Sequence, residues 1–119
     1  MAEHNELGKE GELEACDYLR KNGHKIITTN YRFDKAEVDI IAKKKDILIA
    51  VEVKTRSTTD FGLPQDFIKP QQIKRLVKAV NHFVEVKDLE VEVRFDVIAV
   101  VSKGNKKEIE HLKDAFLHF

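Results

Sequence analysis

Asp39, Glu52 and Lys54 are the residues of this chain whose types and spacing can do chemistry. Asp39 lies in Glu37-Val38-Asp39-Ile40-Ile41-Ala42, and the other two close the run Ile47-Leu48-Ile49-Ala50-Val51-Glu52-Val53-Lys54. Both segments are rich in β-branched residues and flank the polar Lys43-Lys44-Lys45-Asp46, so they read as the strands of a hairpin. Charged groups on such apolar strands lose hydration and are tolerated where they hold a metal or one another. Strand side chains alternate faces, so Glu52 and Lys54 share one face, and Glu37 and Asp39 likewise share one. With Lys45 and Asp46 as the central turn residues, Lys44 opposes Ile47. Asp39 then opposes Glu52, with Cβ atoms roughly 5 Å apart. Two carboxylates that close repel unless a divalent cation neutralises them. Hard oxygen donors suit Mg²⁺, with Mn²⁺ as a substitute, and the lack of a histidine in either strand argues against zinc. Lys54 is then placed to hold an attacking water or to offset the charge of a pentavalent phosphate. The set fits in-line hydrolysis of a phosphodiester. The alternative is an ion-paired hairpin with no chemistry.

The elements that must position these groups follow from the patterning. Leu7 to Lys21 reads as a helix with Leu7, Gly11, Ala15, Tyr18 and Leu19 close to one face. Asn22-Gly23 ends it, with Gly23 suited to a left-handed cap. Gly8 and Gly11 signal either close approach to another backbone or ligand, or a frayed first turn. Glu12 borders the buried stripe and either reaches the sheet edge that carries the other carboxylates or is an ordinary solvated acid. Lys25 to Arg32 is a first strand, and Glu37 to Ala42 and Ile47 to Thr55 are the second and third. Arg56 to Lys69 is a polar loop, long enough to suggest a functional segment. Pro70 opens a helix to about Val86, with Ile73, Leu76, Val77, Val80, Phe83 and Val84 as its buried stripe. Gln71, Gln72 and Lys74 sit in its first turns, where a helix N-terminus favours anions; they either meet a phosphate or are plain exposed residues. Leu89 to Val101 reads as a central strand, Ser102 to Lys107 as a turn, and Glu108 to Phe119 as a strand, a helix or both. Glu37 either supports the cation from outside its ligand set or pairs with Lys54 or Arg56. The order α-β-β-β-α-β plus a tail implies a mixed sheet flanked by helices.

The bulk composition bounds the function classes. At 119 residues, 42% hydrophobic and 35% charged, the chain is read as one soluble domain, residues 1–119, with a single core. No apolar run reaches the roughly 20 residues that span a bilayer, and the acidic first residues carry no apolar signal core, so the expectation is a cytoplasmic protein without a membrane partner. Cys16 is the only cysteine, which excludes an internal disulfide and a cysteine zinc cluster, and it reads as a small buried helix residue. The five histidines show no metal-ligand spacing and read as surface or edge residues. Net charge is zero, which argues against non-specific phosphate attraction as the whole function. Charge is nonetheless uneven: residues 43–78 hold nine bases against four acids, and residues 1–23 three bases against six acids. The apolar tail residues Leu112, Phe116, Leu117 and Phe119 either close the monomer core or form a homodimer interface.

Asp39 followed by Glu52-x-Lys54 after an apolar strand resembles the core motif of the PD-(D/E)xK nuclease superfamily, which includes type II restriction enzymes and archaeal Holliday-junction resolvases. More narrowly, the chain resembles the bacterial YraN family of endonuclease-like proteins. The matching stretches are Gly8-x-x-Gly11-Glu12, Asn30-Tyr31-Arg32, Glu37 to Ala42, Val51-Glu52-Val53-Lys54-Thr55-Arg56-Ser57 and Arg94 to Val100. The resemblance implies a restriction-endonuclease-like α/β fold, a metal set of Asp39, Glu52 and Val53 holding Mg²⁺, and a catalytic Lys54. Glu12 matches the helical acid of the resolvases, and Gln72 falls near a polar active-site position of related nucleases. Arg56, Gln71, Lys74 and Lys78 are the candidate nucleic-acid contacts. Ala36 departs from the family, which usually has Gly before the Glu, and so bears on local backbone geometry. The expected function is a Mg²⁺-dependent endonuclease acting on branched or duplex DNA. The alternative is a non-cutting nucleic-acid-binding or interaction module with the same fold.

Overall fold

The computed structural model describes residues 2–56 and 68–115, apart from the side chains of residues 2–8 and 103. The elements are α1 (Ala2–Lys21), β1 (Lys25–Phe33), β2 (Ala36–Lys44), β3 (Ile47–Arg56), α2 (Pro70–Lys87), β4 (Glu92–Lys103) and β5 (Lys106–Leu112). The strands form one mixed sheet in the order β1-β2-β3-β4-β5. β1, β2 and β3 are joined antiparallel, α2 carries the chain across so that β4 runs parallel to β3, and β5 returns antiparallel to β4. The expected order is therefore present, and the tail begins as a fifth strand. The expected turn at Ser102 to Lys107 shrinks to Gly104-Asn105, because Lys103 pairs with Lys106 and the left-handed Gly104 (φ 61°) closes a two-residue hairpin. Most of the expected loop, residues 57–67, and the tail residues Phe116, Leu117 and Phe119 lie outside the described residues. No described helix is long and apolar enough to cross a membrane.

Two apolar layers sandwich the sheet. Ala15, Cys16 and Leu19 of α1 pack on Ile40, Ala42, Ile49, Val51, Ile98 and Val100. Leu76, Ala79, Val80 and Phe83 of α2 pack on Val38, Ile41, Leu48, Ala50 and Phe95 on the other face. β3 and β4 are buried on both faces, which explains their unbroken apolar runs. Cys16 is the buried helix residue expected. α1 ends as expected at a left-handed Gly23 (φ 85°), with His24 N donating to the Leu19 carbonyl at 2.9 Å. The helix starts earlier than Leu7, and Gly11 is a true close approach, since a Cβ there would collide with the Thr55 hydroxyl of β3.

The described histidines depart in part from the surface or edge setting expected, and the His4 side chain and His118 lie outside the described residues. His24 is buried, His111 has a side chain only 5% exposed, and His82 stacks on Phe33 at 3.9 Å between ring centroids. For His111 the reason is Asp96, fully buried on β4; His24 bonds to the Leu19 carbonyl at 3.1 Å and His82 to the Tyr31 hydroxyl at 2.6 Å. The Asp96 carboxylate accepts two hydrogen bonds from Arg94 (2.9 Å each), one from His111 Nε2 (2.7 Å) and one from the Asp114 backbone N–H (3.0 Å). With Nε2 donating, His111 Nδ1 accepts from the Tyr18 hydroxyl at 3.0 Å, which ties α1 to β5. Those donors hold the Asp96 carboxyl below the usual range against the opposing effect of burial.

Two outcomes follow. Gly11→Ala lowers stability by about 1–3 kcal/mol through overpacking. In a Thr55→Ala background the same change stabilises by up to about 1 kcal/mol, because only helix propensity is left; urea denaturation of the four proteins tests this reversal. Asp96→Ala costs about 3–5 kcal/mol in the same assay, since it strands the Arg94 charge.

Candidate functional site

The site forms where β2 and β3 stop pairing. Their ladder runs from Lys44–Ile47 to Ile40–Val51, which is the register expected from the turn. One step further, Asp39 Oδ2 accepts the Val53 backbone N–H at 2.8 Å, so a carboxylate takes over the role of a ladder carbonyl. The alternation expected of β2 fails at this point. Val38 packs on the α2 side and Ile40, two residues on, packs on the α1 side. Opposite this break β1 is irregular as well: Asn30, between Thr29 (partner of Ile40) and Tyr31 (partner of Val38), is left-handed with φ 52°. A left-handed residue rotates the chain out of the pleat. Glu37 and Asp39 consequently turn to different neighbours. Glu37 accepts from Asn30 Nδ2 at 2.9 Å and pairs with Arg32 Nε at 3.4 Å, while Asp39 turns to β3.

The splayed strands and the start of α2 enclose a cleft of about 480 Å³. Lys35, Ala36, Glu37, Asp39, Glu52, Lys69, Gln71, Gln72, Arg75 and Leu76 line it. Asp39 and Glu52 thus face one space. Glu52 is only 9% exposed. Its Oε1 accepts from Gln72 Nε2 at 3.2 Å and lies 3.6 Å from Lys54 Nζ. Its Oε2 is buried with no hydrogen-bond partner among the described residues. Burial raises the Glu52 pKa, with partial relief from Lys54 and Gln72. Burial first, and the Glu52 charge second, push the Asp39 carboxyl up to about 8.

The other expected residues divide. Gln72 and Gln71 reach the cleft, and Gln72 touches Glu52 directly. Glu12 reaches the sheet edge: it accepts from Asn30 Nδ2 at 3.2 Å, and its charge adds to the rise of Asp39. Arg56 ends β3 opposite Val101. Lys78 turns away to Asp34 (3.4 Å) and the Phe33 ring, and Lys74 is exposed outside the cleft lining, so neither belongs with Gln71 as expected. Arg75, four residues from Gln71 and three from Gln72, lies between them around the helix. Lys74 falls on the far side of Gln71 from Gln72, and Lys78 sits nearly two turns further along, beside Asp34. Arg75, Lys69 and Lys35 are the cleft cations missed from the sequence, although the 3.6-residue period carried the signal for Arg75. α2 opens with Pro70, without a side-chain cap or an acid in its first turn, so its orphan N–H groups favour an anion.

The donors present fit a hard cation. Among the described residues no three His, Cys, Asp or Glu side chains converge as a ready-made cage. Two carboxylates, Asp39 and Glu52, do line one cleft. The N–H and C=O of one strand residue point the same way, so the Val53 carbonyl is turned toward Asp39 as its N–H is. The unpartnered Glu52 Oε2 supplies a buried lone pair. One or two carboxylates, with the remaining positions left to water or substrate, is the ligand set that Mg²⁺ tolerates.

A mixed α/β fold with paired buried carboxylates at a splayed hairpin end is the class that these features define. The comparisons with known proteins agree on one family. Residues 11–100 match Uncharacterised protein family UPF0102. A UPF0102 protein of Christiangramia forsetii is 61% identical over 119 residues, covering all of both chains. One from Flavobacterium psychrophilum is 57% identical over the full length of both. One from Bacteroides fragilis is 49% identical over 116 residues, 98% of this chain and 96% of the relative. The chain belongs to the UPF0102 (YraN) family.

The raised Asp39 pKa has a signed consequence in metal-free protein. Between the ordinary carboxylate range and about 8 the folded state holds a proton that the unfolded state has lost, so stability falls as pH rises and levels off above 8. Asp39→Asn keeps an acceptor for Val53 N–H and removes the titration. Thermal melts in EDTA at pH 5, 7 and 9 will show the variant's advantage over wild type growing from pH 5 to about 8 and no further.

Proposed function

We propose that this protein is a Mg²⁺-dependent endonuclease that hydrolyses phosphodiester bonds in DNA, with a restriction-endonuclease-like fold. The observation that carries the reading is that Asp39 and Glu52 line one cleft, with Lys54 3.6 Å from Glu52 Oε1 and Glu52 Oε2 unpartnered among the described residues. Asp39, Glu52 and the Val53 carbonyl would hold the ion. Bound Mg²⁺ supplies Lewis acidity toward a phosphoryl oxygen and lowers the pKa of a coordinated water. Gln72 fixes the orientation of Glu52 by its hydrogen bond to Oε1. The Lys54 ammonium, 3.6 Å from Glu52, is placed to orient the attacking water or to offset charge on the phosphorane. Lys35, Lys69 and Arg75, with the start of α2, line the approach that the flanking phosphates would take. Branched DNA, cut by a homodimer matched to its two-fold symmetry, is the substrate form this reading favours.

A second reading has one observation in its favour: a net charge of zero, which gives little long-range pull toward a polyanion. It describes a nucleic-acid-binding or interaction module that keeps the fold and does not cut.

Incubation of wild type, Asp39→Ala and Lys54→Ala with single-stranded, duplex, flap and four-way-junction DNA separates the two. The nuclease cleaves at least one substrate in Mg²⁺ or Mn²⁺. It stops in EDTA and with Asp39→Ala, and Lys54→Ala slows it by about 10²–10³-fold, the scale for loss of one charge-stabilising donor. Equal DNA binding by all three proteins without cleavage establishes the module instead.

A further inference from the structure

Asn30 lies outside every set of residues treated as chemical so far, yet it is the β1 residue that stands opposite Asp39. Its φ of 52° is a conformation that Asn adopts more readily than other non-glycine residues. Its side-chain nitrogen donates to Glu12 Oε2 at 3.2 Å and to Glu37 Oε1 at 2.9 Å. An amide nitrogen carries two hydrogens, and here both go to carboxylates. One neutral group thus links an acid of α1 to an acid of β2, two like charges that would otherwise separate into solvent. Arg32 holds the second oxygen of Glu37 at 3.4 Å. Glu37 lines the same cleft as Asp39 and Glu52, and Asn30 ties Glu12 to it.

Resting on the metal-dependent reading above, we infer that Asn30 is a positioning residue whose amide holds Glu12 and Glu37 beside the Asp39–Glu52 pair, where the second Glu12 oxygen and the remaining lone pairs of Glu37 order the water ligands of the bound cation. A backbone role alone would ask only for a residue that accepts positive φ, and glycine meets that need better than asparagine. The bifurcated amide is what glycine cannot supply.

The test is Mn²⁺ affinity by electron paramagnetic resonance on the full chain, beside thermal midpoints in EDTA, for wild type, Asn30→Gly and Asn30→Ala. Both variants lose the amide, but only Ala is strained at this φ. The inference requires that both bind Mn²⁺ about 10-fold more weakly, the scale of an outer-shell ligand loss, although their midpoints differ. Glu12→Gln binds more weakly as well, and Asn30→Gly added to it costs less than it does in wild type. Wild-type affinity in either Asn30 variant, or affinity that merely follows the midpoint, overturns the positioning role while the metal site stands. Absence of Mn²⁺ binding by the wild type overturns the metal-dependent reading and the role of Asn30 with it.

Discussion

Everything distinctive in this structure depends on the burial of two carboxyl groups at a place where two strands part. Asp39 and Glu52 share a cleft, and neither is fully neutralised by the protein. A continuous ladder there would have closed the space between β2 and β3. The left-handed Asn30, the failed alternation between Val38 and Ile40 and the capture of Val53 N–H by Asp39 together keep it open. The cost of holding those carboxylates is met elsewhere, by a sheet whose central strands are covered on both faces.

The same sheet contains the opposite solution to the same problem. Asp96 is more deeply buried than Glu52, yet its pKa is lowered where those of Asp39 and Glu52 are raised. The difference is the donor count. Asp96 receives four hydrogen bonds, two of them from a guanidinium, and stays ionised as a structural anchor among α1, β4 and β5. Glu52 Oε1 has only an amide and a lysine at 3.6 Å, and Oε2 has nothing among the described residues. Burial alone therefore does not mark a site. Burial with unmet bonding capacity does, and it leaves those oxygens available to a cation.

Much of the fold was legible in the sequence because it rests on local signals. The β-branched runs, the Lys45-Asp46 turn, Gly23 and Pro70 determined strands, register and helix ends to within a few residues. The nearness of Asp39 to Glu52 followed from that register, although the ladder stops one pair short of them. What escaped has a common cause, since each missed feature depends on which elements meet across the sheet. His111 looks like a surface residue until Tyr18 and Asp96 are brought to it from other elements, and His24 until it meets the His111 ring. Period-two reasoning also assumed an unbroken pleat, and so it could not foresee the rotation at Asp39. On α2 the cation that lines the cleft with Gln71 and Gln72 is Arg75, which the helical period places between them, and not Lys74.

Zero net charge and a phosphate-directed cleft are compatible once the charges are located. At physiological salt, fields from exposed charges fade over about 8 Å, so the sum over the chain matters less than the charges at the opening. There Lys35, Lys69 and Arg75 line the cleft without a side-chain ion pair among the described residues, while several acids elsewhere are paired with other bases. Lys107, for example, lies 3.6 Å from Glu14 on α1, well away from these three. The arrangement is cationic at the rim and anionic at the floor. That ordering suits an incoming anion with a divalent cation beneath it and opposes either alone: the floor carboxylates repel a bare phosphate, and the rim repels a free cation. In the proposed reading, ion and substrate would therefore each improve the binding of the other, a coupling that needs no conformational change.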